Sequence, residues 1–167
     1  MQALLDAGLP VRALASNRGD APALRRVHGL PTASFELRDY ASRDERDAAM
    51  ADWLQQHGVG LVVLAGYMHL LTTRFLERFP ERVINVHPSL LPAFPGAHAV
   101  ADQLAAGVAE SGCTVHVVVE EVDAGPILLQ ERVPVRADDT VESLHARIKE
   151  VEHRLLPRAV EELLCAH

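Results

Sequence analysis

The run LVVLAGY, residues 61–67, constrains this chain more than any other stretch. It is continuously apolar and ends at Gly66, the pattern of a strand buried on both faces in a helix-covered sheet. VINVHP (83–88) is a second such run, with β-branched residues at Val83, Ile84 and Val86. Shorter strand patterns lie at VRALAS (11–16) and within 30–39, and two longer ones at CTVHVVVE (113–120) and PILLQERVPV (126–135). Helical patterns fall between them: MQALLDAG, 20–29, SRDERDAAMADWLQQHG (42–58), 72–78 and AVADQLAAG (99–107). Ser42 is placed to cap the 42–58 helix and Gly58 to stop it. A long helix from Thr140 to about Cys165 is expected to bend near Pro157. The alternation predicts an α/β fold, a Rossmann-like, mainly parallel sheet with helices on both faces.

Ligands of such sheets sit outside the carboxyl ends of the strands, so the turns after Ala65, His87 and Glu120 become the candidate site. The chain opens on a helix with no strand before it. A βαβ unit begins with a strand and then a turn whose amides face a phosphate at the helix N-terminus. The fold is therefore expected to lack its first strand, and residues 1–167 read as a single domain truncated at both ends.

Composition narrows the function. With 49% hydrophobic and 23% charged residues, the chain has a globular make-up. A net charge of -7 argues against nucleic acid or an anionic membrane as the main partner. The two cysteines, Cys113 and Cys165, form no Cys-x-x-Cys pattern, and no histidine spacing suggests a metal. No apolar run approaches the roughly 18 residues of a membrane span, and the start is not a secretory signal. A cytoplasmic location is expected.

Asn85 and His87 lie two residues apart, so they share one face of their strand at its carboxyl end. An amide donates to a developing oxyanion, and a histidine exchanges a proton near neutral pH. The pair suits acyl-type transfer to an amine through a tetrahedral intermediate. A purely structural pair, capping the strand end and bonding the loop, fits the residues equally well. In EEVDAGP (120–126), Asp123 sits in a turn between strands and, if near His87, would orient its ring and favour its charged form. Ser89 has no neighbouring base and reads as structural. His116, inside a strand, reads as a satisfied core residue, and His28, His57, His145 and His167 as surface residues.

Asn-x-His-Pro-Ser-Leu-Leu-Pro-x-x-Pro-Gly (85–96), then Gly-Cys-Thr-Val-His (112–116) and Val-Asp-x-Gly-Pro-Ile-x-x-Gln (122–130), resembles the phosphoribosylglycinamide formyltransferases. These belong to the formyl-tetrahydrofolate transferase family, and the resemblance spans nearly the whole chain. It implies transfer of a formyl group from 10-formyltetrahydrofolate to the amine of 5-phosphoribosylglycinamide, in purine biosynthesis, without a metal. It implies His87 as general acid, Asn85 holding the formyl oxygen, and Asp123 keeping His87 protonated and organising a water. The folate side is implied to comprise Arg43, Met68, His69, Leu70, Leu71, Asn85, Val119, Glu120, Glu121, Val122 and Asp123. The substrate side is implied at Gly96, Lys149, Glu150, Val151 and Glu152. The family commonly has Arg or Lys where His69 stands, and it begins with a strand and a Gly-rich phosphate loop that precede the position of Met1. Small-molecule partners and a monomer or homodimer are expected. Alternatives are a formyltetrahydrofolate deformylase, with water replacing the amine, and a folate-binding fragment without activity.

Overall fold

A stretch that alternates apolar strand and amphipathic helix must bury each strand against its neighbours. In the computed structural model, which describes residues 1–165, that burial is organised in two compact units, Met1–Val83 and Ile84–His167. His167, expected at the surface, lies outside the described residues.

The first unit runs α1 (Gln2–Asp6), β1 (Leu14–Ser16), α2 (Pro22–Arg26), β2 (Thr32–Ser34), a 3-10 turn (Leu37–Asp39), α3 (Arg43–Gln56), β3 (Val62–Leu64) and α4 (Thr73–Leu76). β1 and β2 are parallel, Leu14 opposite Thr32 and Ser16 opposite Ser34, with α2 as the crossover. α3 starts where the sequence places it. The Ser42 hydroxyl accepts the Glu45 amide at 3.1 Å, and the Glu45 carboxylate accepts the Ala41 amide at 3.3 Å. This is close to a reciprocal capping box. Met50, Ala51 and Leu54 recur at helical spacing and are buried, as are Phe75 and Phe79, whose ring centroids lie 5.3 Å apart. Each large side chain so buried contributes about 2 kcal/mol. A cleft of about 320 Å³ lies within this unit, lined by β1, β3, Met50, Leu54, Tyr67, Leu71 and Phe75.

The second unit holds β4 (Val83–His87, from Ile84 onward), α5 (Ala99–Ala105), β5 (Glu110–Val117), β6 (Ile127–Pro134) and α6 (Val141–Cys165). The α/β order holds, and within this unit the pairing is antiparallel: β4 with β5, and β5 with β6. Residues 118–126 are fewer than the dozen or so that a parallel crossover needs, so β5 and β6 form a hairpin. β5 spans Glu110–Val117 rather than 113–120, because its ladder extends to Glu110 opposite Pro134. At the start of α6, Thr140 and Ser143 cap each other: each hydroxyl accepts the other's amide, at 2.9 and 3.2 Å. Leu144, Ile148, Val151, Leu155 and Ala159 form the buried face of α6, against β5 and β6. The helix continues through buried Pro157.

Candidate active site

Strand alternation brings Asn85 and His87 to one face of β4, and the β4–β5 register then decides what they meet. Asn85 pairs with His116 across the ladder and His87 with Thr114. His87 is buried, at 5% exposure. Its Nδ1 lies 3.3 Å from Asp123 Oδ2, and its Nε2 lies 2.8 Å from the Phe94 carbonyl. Each ring nitrogen thus faces an oxygen acceptor. A neutral imidazole can donate to one of these oxygens and an imidazolium to both.

Two backbone distortions build the cradle. Phe94 and Asp123 both have left-handed φ, 54° and 53°, a conformation that costs a non-glycine residue on the order of 1 kcal/mol. Asp123 is held there by its neighbours. Its Oδ2 accepts the Gly96 amide at 2.8 Å, and the turn closes on Gly125. A Cβ on Gly125 would lie 1.8 Å from the Val117 carbonyl oxygen, so only glycine fits. The 88–96 loop is fixed from beneath. The Thr114 hydroxyl donates to the Ser89 carbonyl at 2.7 Å and accepts the Leu91 amide at 3.2 Å. Gln103 Nε2 donates to the Pro88 carbonyl at 2.9 Å, and the Ser89 hydroxyl to the Ala93 carbonyl at 2.6 Å. The reading of Ser89 as structural matches this bonding.

His116 is the residue that sequence reasoning placed in the core and left out of the chemistry. It is buried, but its Nε2 lies 3.5 Å from both Asn85 Nδ2 and Asp123 Oδ1, and its Nδ1 lies 3.0 Å from the Val117 carbonyl. Burial pulls its pKa below the ordinary value; the Val117 carbonyl and the Asp123 carboxylate pull the other way. A neutral ring donates from Nδ1 to Val117, and its Nε2 accepts from the Asn85 amide. That contact turns the Asn85 carboxamide in one sense. The GCTVH pattern carried the signal, but only the ladder register shows which residue it faces.

Asn85, His87, Gly96 and Asp123 therefore come together in the second unit, with His116. Near them in sequence, Val119 and Val122 are exposed apolar residues at 38% and 45%, and Glu120 and Glu121 are exposed. On α6, Lys149 and Glu150 are exposed and Glu152 is half-buried near the Cys113 thiol. Val151 turns into the core with Leu144 and Ile148, so its side chain serves packing. Arg43 and Met68, His69, Leu70 and Leu71 belong to the first unit. Arg43 is exposed at the first residue of α3. Met68 and Leu70 are 72% and 54% exposed, and the His69 ring lies 5.8 Å from that of Tyr67.

Residues 5–160 match the family described as formyl transferase. The chain belongs to the formyl transferase family. It is 50% identical over 134 residues to a phosphoribosylglycinamide formyltransferase of Mycobacterium tuberculosis, covering 80% of this chain and 62% of that protein. It is 46% identical over 148 residues to a trifunctional purine biosynthetic protein adenosine-3 of Gallus gallus, covering 87% of this chain and 15% of that protein. The chain thus spans less than two thirds of the length of either curated relative. Among solved structures, the phosphoribosylglycinamide formyltransferase of Streptococcus pneumoniae TIGR4 superposes with a TM-score of 0.92 at 39% identity. That match covers 98% of this chain and 92% of the other. Like these formyl transferase relatives, the chain is α/β. Among the described residues no helix is long and apolar enough to cross a membrane.

Proposed function

We propose that this chain transfers a formyl group from 10-formyltetrahydrofolate to the amine of 5-phosphoribosylglycinamide, acting in the cytoplasm as a monomer or homodimer. The observation that carries the reading is the His87 ring, held between Asp123 and the Phe94 carbonyl beside Asn85 on the same strand face. The amine attacks the formyl carbon, and a new carbon–nitrogen bond forms as the carbonyl becomes an oxyanion. Asn85 donates to that oxygen, and so does His87 as its Nε2–H exchanges the Phe94 carbonyl for the substrate oxygen. Collapse breaks the bond to the folate nitrogen, which gains the proton that the amine loses. The Asp123 carboxylate orients the His87 ring and organises the water that moves the proton. No covalent enzyme intermediate is needed.

Arg43, Met68 to Leu71 and Val119 to Asp123 remain the candidate folate residues. Gly96 and Lys149 to Glu152 remain the candidate substrate residues, with Val151 contributing its backbone. The test is turnover of 10-formyltetrahydrofolate with and without the amine. Formylated amine, formed in step with tetrahydrofolate, supports the reading. Formate released at the same rate without the amine means a deformylase, and no turnover of either kind means a binding fragment.

A further inference from the structure

Arg46 and Asp47, consecutive on α3, are fully buried, with at most 1% of either side chain exposed. Arg46 donates to Asp47 Oδ1 from Nε at 2.8 Å and from Nη2 at 2.5 Å. The other carboxylate oxygen, Oδ2, accepts the backbone amide of Thr72 at 2.8 Å. A single carboxylate thus ties α3 to the end of segment 66–72. That segment starts at Gly66, with φ 69°, and carries the exposed apolar side chains of Met68 and Leu70. Arg46 Nη1 and the Thr72 hydroxyl are buried with no hydrogen-bond partner among the described residues, and the Tyr67 hydroxyl is buried beside Arg46. Burial raises the Tyr67 pKa, with Arg46 and Asp47 among the nearest charges.

A buried ion pair is a costly way to stabilise a fold, since well-packed apolar residues of similar volume do at least as well. What apolar residues do not supply is an acceptor for an amide on a loop. α3 is a regular capped helix, whereas 66–72 has little regular structure of its own. The pair is placed where the loop needs an anchor.

We propose that the Arg46–Asp47 pair is a positioning device: through the Thr72 amide it fixes segment 66–72 in the shape that receives the folate, and so sets folate affinity rather than the rate of transfer. This rests on the reading that Met68 to Leu71 contact the folate. Neither residue touches the reacting atoms.

Two double variants of the full chain test it, both free of an unpaired buried charge. Arg46→Met with Asp47→Asn keeps an oxygen for the Thr72 amide, and Arg46→Met with Asp47→Leu does not. The leucine variant should show faster amide exchange at Thr72. Its KM for 10-formyltetrahydrofolate should rise about tenfold with kcat within about threefold, the scale of one lost buried hydrogen bond. The asparagine variant should stay near the parent on both. Equal KM in both variants and the parent overturns the proposal, as does an equal loss in both. The parent protein gives an independent reading that needs no variant to fold. Thr72 should be protected from exchange without ligand, and Met68 to Leu71 should become protected when the folate is added. An unprotected Thr72 overturns the anchor. A protected Thr72 with no folate effect on 68–71 overturns the folate assignment instead.

Discussion

Asp123 Oδ2 lies 3.3 Å from His87 Nδ1. The same oxygen takes the Gly96 amide at 2.8 Å, so one carboxylate both faces the imidazole and closes the 88–96 loop over it. Asp123→Asn separates these roles. The amide oxygen still accepts from Gly96, but the negative charge facing His87 is gone. Turnover should fall about a hundredfold, the usual scale for a disabled acid–base group, while the melting temperature changes little. Parallel steady-state kinetics and thermal melts check both halves.

The turn that aims Asp123 depends on Gly125, where a Cβ would lie 1.8 Å from a backbone oxygen. Gly125→Ala should destabilise the protein by at least about 2 kcal/mol, since the hairpin must open to admit the methyl. Gly96→Ala is the contrast. Its φ is 91° but nothing among the described residues lies within 4 Å of the added Cβ, so only backbone strain of about 1 kcal/mol is expected. Urea denaturation of the two variants compares them directly.

These features show where sequence reasoning succeeds and where it stops. Local periodicity placed the helices and strands of both units, the Ser42 cap, and the shared face of Asn85 and His87, because each depends on residues close in sequence. His116 was legible only as a buried histidine. Its partners follow from the register of β4 on β5, which pairing across 31 positions sets. The antiparallel pairing of β4 with β5 was hidden for the same reason, whereas the short 118–126 connection itself signals the β5–β6 hairpin. For Arg46 and Asp47 nothing local signals that both are enclosed and that one holds Thr72.

Acid should weaken the fold in two windows. The His116 pKa is lowered from 6.5, chiefly by burial. The unfolded chain therefore takes up this proton first, so the contribution is fully present above about pH 6.5 and is lost as pH falls toward the lower folded value. The Asp139 carboxyl, bonded by Arg147, is held well below its ordinary 3.8, and its contribution is lost only below that pH. His116→Gln should flatten the upper window and leave the lower one. Denaturant midpoints measured from pH 7 down to about pH 2 check this, with His87 and Asp123 as the ionisable neighbours of His116.

The cysteines should differ sharply in reactivity. Burial, with Glu152 nearby, pushes the Cys113 thiol up to about 12, whereas Cys165 is exposed. A chromogenic disulfide reagent at pH 8 should react fast with one thiol in the native protein and with both after denaturation. Cys165→Ser should remove the fast phase.

The central claim is that His87 donates the proton that stabilises the transferring formyl group. The most direct measurement is single-turnover transfer by His87→Ala, with folded state verified by near-ultraviolet dichroism. The account predicts a loss of at least about a hundredfold in the chemical step. A rate within a few-fold of the parent would contradict it.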